Sequence, residues 1–171
     1  GMDHFAKEDD ELFKALKNGS LHRNFQGYTT KGGAALIGVG LTSIGDGGNY
    51  YAQNYKDMKA YEEAILNGKL PFEKGIVLND DDMLRKEVIM SLMSNFYLNI
   101  KDIEDKFKIN FWQYFEDALK QLEEYKDFYD IKDKEIFVNE TGVLLIRNIA
   151  MCFDAYMYKF SDDKKVFSKT V

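Results

Sequence analysis

From residue 79 onward, apolar positions recur at helical spacing. Leu84, Val88, Leu92 and Phe96 form one buried stripe. Asn79 and the acidic run Asp80 to Asp82 mark the helix start, because a short polar side chain and nearby carboxylates satisfy free amides and favour the helix dipole. A short helix follows around Ile100, Ile103 and Phe107, then a longer one with Phe111, Phe115, Ala118, Leu119 and Leu122 on one face. The period then drops to two. Tyr129 and Ile131 alternate with polar neighbours, Asp133-Lys134 offers a turn, and Ile136 and Val138 alternate again, which predicts a β-hairpin. Thr141 is placed to cap a last helix from Val143 to Phe160. Three helices, a hairpin and a closing helix describe a winged-helix-like domain.

Upstream the pattern is different. Eight glycines crowd the segment Gly27 to Gly48, which excludes a helix there. Within it, Ala35 to Leu41 reads as a buried strand whose small residues let another backbone come close, and Asp46-Gly47-Gly48 reads as a turn. Tyr51, Tyr55, Met58, Tyr61 and Ile65 fit one face of a helix from Tyr51 to Asn67, ended by Gly68. Pro71 marks a boundary. The expected organisation is α+β, with one unit at 1–70 and a mostly helical one at 72–171.

Composition narrows the function classes. The 171 residues are 45% hydrophobic and 15% aromatic, enough for a substantial core. A net charge of −6 argues against nucleic acid and anionic membranes as partners, since both call for surplus Lys and Arg. The third predicted helix carries Glu116, Asp117, Glu123 and Glu124, so its face would repel phosphates despite the winged-helix-like pattern. No run approaches the ~18 apolar residues of a membrane span, and the acidic N-terminal stretch does not read as a signal peptide. The single Cys152 excludes an internal disulfide or a thiolate cluster within this chain and suits a reducing, cytoplasmic setting.

Several candidate sites have plain structural readings. Gly33 and Gly38 have the separation of P-loop glycines, but Val39 and Gly40 stand where Lys and Ser or Thr are needed. Ser43 replaces the third glycine of a dinucleotide fingerprint, so close backbone packing is the better reading of this segment. His4 and His22 lack second ligands at metal-binding spacing. Arg147 and Asp154 sit two turns apart on one face of an otherwise apolar predicted helix, where burial would demand partners for both.

Three ordered segments carry a further likeness: Gly1-Met2-Asp3-His4-Phe5-Ala6, then Leu21-His22-Arg23-Asn24-Phe25-Gln26-Gly27-Tyr28-Thr29-Thr30, then Arg147-Asn148 with Met151-Cys152-Phe153-Asp154. Together they resemble the C-terminal portion of oxygen-independent coproporphyrinogen III oxidases, radical S-adenosylmethionine enzymes of heme biosynthesis. The related heme chaperones are a weaker match in the segment Arg23 to Thr30.

The resemblance implies a terminal strand and helix piece of a β/α barrel at 1–70, followed by the winged-helix-like domain as a cover over the active site. It implies an oxidoreductase, a coproporphyrinogen dehydrogenase, that converts two propionates of coproporphyrinogen III to vinyl groups through a 5′-deoxyadenosyl radical. S-adenosylmethionine and a 4Fe-4S cluster would serve the full-length enzyme. The CxxxCxxC motif of the cluster is missing from this chain, which is therefore expected to be inactive alone. Carried over by position, Ile44 contacts S-adenosylmethionine and Phe25 and Gln26 lie close to the cofactor, while Asp3 and His4 fall at a barrel strand end. Ala35 departs from the acidic residue common in relatives. Gly1-Met2 is internal to the family pattern, compatible with a domain fragment, a proteolytic remnant or a start at Met2. An unpaired barrel edge near residues 1 to 50 predicts self-association. The rival reading is a non-enzymatic helical module that binds a protein or a tetrapyrrole.

Overall fold

The computed structural model describes residues 5–157, so Asp3, His4 and the end of the helix expected over Val143 to Phe160 lie outside the described residues. Asp10 caps α1 (Glu11–Lys17) by accepting the Leu12 N–H. A hairpin follows, β1 (His22–Asn24) against β2 (Gly27–Thr29), with Asn24 facing Gly27 across the two-residue turn Phe25-Gln26. The Asn24 side chain accepts from the Gln26 and Gly27 amides at 2.8 and 3.2 Å, which fixes the turn and displays Phe25 at its tip.

Beyond it, β3 (Ile44–Asp46), β4 (Tyr50–Asn54) and β5 (Phe72–Val77) form an antiparallel sheet in that order. Two expectations fail here. Residues 35–41 are not a buried strand: only Leu36 bridges, to Asp46, and Ile37 and Val39 are each 83% exposed. The cause is close packing on residues 43 and 44, where a Cβ at Gly38 would lie 2.9 Å from that of Ser43. The carbonyls of Gly38 and Gly40 accept from the buried Asn54 side chain, at 3.2 and 2.8 Å, in place of a strand partner. The expected helix from Tyr51 to Asn67 is likewise divided. Its first residues are β4, and α2 (Met58–Leu66) begins only after Asp57, which caps it through the Ala60 N–H.

All strand pairs among the described residues are antiparallel, whereas barrel strands of the expected kind pair in parallel. The sheet also runs through Val77, past the boundary expected at Pro71.

The remaining chain follows the apolar pattern more closely. Asn79 opens α3 (Asp80–Asn95) with a reciprocal capping box to Asp82, and Leu84, Val88 and Leu92 are buried. Then come β6 (Tyr97–Asn99) and α4 (Ile100–Phe107), with Ile100 and Ile103 inward. The expected third helix is broken at Phe115 into α5 (Phe111–Tyr114) and α6 (Glu116–Leu122), followed by a 3-10 segment, Glu123–Phe128. Phe111 and Phe115 both reach the core, their ring centroids 4.8 Å apart and each against Phe153.

The hairpin forms as the alternation predicts: β7 (Tyr129–Lys132) and β8 (Glu135–Val138) turn at Asp133-Lys134, both with positive φ. β8 also pairs with β6, giving the order β6-β8-β7. Asn139, not Thr141, caps α7 (Glu140–Leu144), and α8 (Ile146–Met151) follows after a break at Leu145. No helix among the described residues is long and apolar enough to cross a membrane.

Candidate functional site

Two polar clamps hold the N-terminal elements against α3. Asn95, at the end of α3, accepts the Leu21 N–H at 3.2 Å and donates to the Leu21 carbonyl at 3.1 Å, which fixes the entry to β1. Nine residues earlier, Lys86 reaches Asp46 of β3 at 3.0 Å and the Gly48 carbonyl at 3.1 Å, with its ammonium 4.5 Å above the Tyr51 ring. Burial acts to lower the Lys86 pKa, but the hydrogen bonds and charges of Tyr51 and Asp46 outweigh it and raise the pKa above the usual lysine value. One position before Lys86 on α3, Arg85 pairs with Asp81 at 2.9 Å and donates to the Phe153 carbonyl at 2.9 Å, tying down the turn that presents Asp154.

Between these clamps lies a cleft of about 490 Å³, floored by α3 and α8 and walled by the β1–β2 hairpin and β4. Phe25, Tyr51, Ile89, Met90, Met93 and Met151 supply its apolar surface, and Arg23, Asp46, Arg147 and Asp154 its charged groups. A second cleft, of about 280 Å³, opens on the other side of the Phe25 and Tyr51 rings and is lined by Ile44, Gln53, Lys74 and Ile76 as well.

Of the three residues carried over as cofactor contacts, the structure brings Phe25 and Ile44 together in the second cleft. Gln26 is exposed on the turn and lines neither cleft. His22 is exposed on β1. Arg147 and Asp154 share the first cleft, but α8 ends at Met151, so the two are not on one helix face. Arg147 is exposed and makes no ion pair among the described residues, while Asp154 accepts the Tyr156 N–H at 2.7 Å. Neither side chain is fully buried, so the need for a buried partner does not arise.

Tyr51, Met90, Met93 and Met151 were not singled out as site residues by pattern. Met90 and Met93 are three apart beside a strong core stripe, a signal of a second apolar face on α3 that was present in the sequence. Cys152 is buried, and burial pushes its thiol up to about 11, opposite to what a metal or redox thiolate needs. No group of three or more His, Cys, Asp or Glu suited to a metal ion occurs among the described residues.

Comparison with known proteins places this arrangement. The family model described as the HemN C-terminal domain matches residues 78–145, from the approach to α3 into α8's lead-in. An oxygen-independent coproporphyrinogen III oxidase of Helicobacter pylori is 49% identical over 173 residues, covering all of this chain. The chain matches the C-terminal portion of oxygen-independent coproporphyrinogen III oxidases. It spans about 37% of the length of the H. pylori relative. The Escherichia coli oxidase is 46% identical over 159 residues, or 92% of this chain and 35% of that protein. A solved structure of the E. coli oxidase, described as a radical SAM enzyme, superposes with a TM-score of 0.87 over 92% of this chain and 37% of its own.

Proposed function

We propose that this chain supplies one wall of the active site of an oxygen-independent coproporphyrinogen III oxidase, whose reaction in heme biosynthesis decarboxylates coproporphyrinogen III to protoporphyrinogen IX. The observation that carries the reading is the convergence of Arg23, Asn24, Phe25, Arg147, Met151 and Asp154, from two segments more than a hundred residues apart, on a single cleft. Pattern alone gives these residues no shared role; a ligand bound between them does.

S-adenosylmethionine and its 4Fe-4S cluster supply the radical chemistry in such an enzyme, and the cluster ligands belong to the rest of the longer protein. The Phe25, Ile44 and Tyr51 surfaces suit the apolar face of an adenosine group, with Gln53 and Lys74 as polar neighbours. Gln26 would reach the cofactor only from the outer side of the turn. These side chains orient and shield; among them no group is placed to move a proton or electron by itself.

Residues 1–70 would adjoin a cofactor-bearing β/α barrel, and residues 72–171 would cover it as a winged-helix-like unit. The helix, strand and hairpin succession with sheet order β6-β8-β7 supports the latter reading. The acidic balance favours neither nucleic acid nor membrane, and a cytoplasmic setting suits a reduced Cys152. All six residues of β5 are exposed, which fits an edge covered by the missing barrel, or by self-association in its absence.

The test is anaerobic mixing of this chain with a separately expressed, cluster-bearing N-terminal part of the protein. Restored decarboxylation of coproporphyrinogen III supports the proposal. A folded complex with an intact cluster and no turnover refutes it.

A further inference from the structure

The larger cleft has an unusual charge balance for a chain of net charge −6. Its acidic members are already engaged: Asp46 is paired with Lys86 at 3.0 Å, and Asp154 accepts the Tyr156 N–H at 2.7 Å. Arg147 is exposed on α8 and forms no ion pair among the described residues. Arg23 rests its guanidinium on the Tyr28 ring, 5.3 Å from the centroid, which orients the plane and leaves its charge without a carboxylate among the described residues. Counting Lys86 with Asp46, the cleft carries two guanidinium groups against the single carboxylate of Asp154, which is oriented by a backbone amide.

Below these groups the floor is apolar and made largely of methionine, from Met90, Met93 and Met151. Methionine is flexible and polarisable, and it adapts to the broad face of a conjugated or aromatic ligand. A macrocycle of aromatic pyrrole rings with carboxylates at its periphery matches both features at once. The volume, about 490 Å³, lies within the ~300–1,000 Å³ typical of small-molecule sites.

We infer that Arg147 and Arg23 recognise propionate carboxylates of the tetrapyrrole substrate while the methionine floor receives its ring face. The inference rests on the proposed oxidase role and extends it by assigning substrate selection to this chain. Guanidinium binds a carboxylate through two parallel hydrogen bonds, so the pair, set against the two propionates that the reaction converts, distinguishes a tetrapyrrole with all four from one that has lost those two. Product, with two fewer carboxylates, would hold less tightly than substrate.

The chain itself can be titrated with coproporphyrin III, bearing four propionates, and with mesoporphyrin IX, bearing two, and read by porphyrin fluorescence anisotropy. The wild-type chain is expected to bind coproporphyrin about 10-fold more tightly than mesoporphyrin. Arg147→Gln, at an exposed position that leaves the core intact, is expected to reduce that ratio to near unity, and Arg147→Lys to restore it in part. Arg23→Gln provides a second variant, with circular dichroism confirming the fold. An unchanged ratio in both glutamine variants overturns the inference while leaving the oxidase role standing. Failure of the folded wild-type chain to bind either porphyrin overturns it too, and the mixing experiment decides separately whether the chain serves the oxidase.

Discussion

Phe25 and Tyr51 meet edge to face, their ring centroids 5.3 Å apart and their planes at 87°. One ring comes from a two-residue hairpin turn and the other from the middle strand of the sheet. Together they form the partition between the two clefts, since both rings line each. Tyr51 also lies under the Lys86 ammonium, 4.5 Å from the ring centroid, so the partition is anchored to α3.

The ring pair should be energetically coupled. A double-mutant cycle with Phe25→Leu and Tyr51→Leu is expected to return about 0.5–1.5 kcal/mol of coupling in urea unfolding. Additive single effects would show that the two rings are neighbours without interaction.

Lys86 should act as the pin of the sheet. Lys86→Met removes charged hydrogen bonds to Asp46 and Gly48 and is expected to cost about 1.5–3 kcal/mol. Hydrogen exchange should quicken in residues 44–54 while the α3 core around Val88 and Leu92 keeps its protection. Because folding raises this lysine's pKa, its contribution is complete below the unfolded value, near 10.5, and is lost as pH rises through the folded value. Detachment of the sheet ahead of global unfolding in strong alkali is the corresponding pH signature, and it should be missing from Lys86→Met.

Cys152 should be inert in the folded chain. With its thiol pushed up from 9.0 to about 11, chiefly by burial, its thiolate population near neutral pH is about 100-fold below that of an unperturbed thiol. Iodoacetamide labelling should therefore be slow and should accelerate with urea in step with unfolding. The raised pKa also means that this group stabilises the fold below pH 9 and loses that contribution between about pH 9 and 11. Labelling of the native chain at the rate of free cysteine would contradict the buried placement.

Exposed apolar groups on the N-terminal part should drive association of the chain in isolation. Ile37 and Val39 are 83% exposed and Val77 75%. Sedimentation is expected to show concentration-dependent self-association that Ile37→Lys with Val39→Lys weakens and the cluster-bearing part suppresses. A strictly monomeric wild-type profile would oppose this.

How much of this was legible in the sequence depended on whether local signals agreed with tertiary contacts. Asn79 with Asp82, the stripe through Leu92, and the hairpin around Asp133-Lys134 were readable because cap, period and turn pointed the same way. Tyr51 and Tyr55 were misread because their spacing with Met58 and Tyr61 imitates a helix face. The strand's inward positions are Ala52 and Asn54, one small and one polar, so the period of two left no hydrophobic trace. Asn54 is buried for its bonds to Gly38 and Gly40, a reason that no periodicity expresses. The clefts themselves depend on Asn95 meeting Leu21 and Lys86 meeting Asp46, contacts 74 and 40 residues apart in sequence. Family resemblance singled out Phe25 and Ile44; only the fold shows which other side chains surround them.

The most direct test of the account is the steady-state KM for each ligand in the reconstituted anaerobic complex, comparing wild type, Ile44→Asp and Arg147→Gln. The two-cleft arrangement predicts that Ile44→Asp raises KM for S-adenosylmethionine about 10-fold or more, with little change for coproporphyrinogen III, and that Arg147→Gln does the reverse. No turnover from a folded, cluster-intact complex, or both substitutions shifting the same KM, would contradict it.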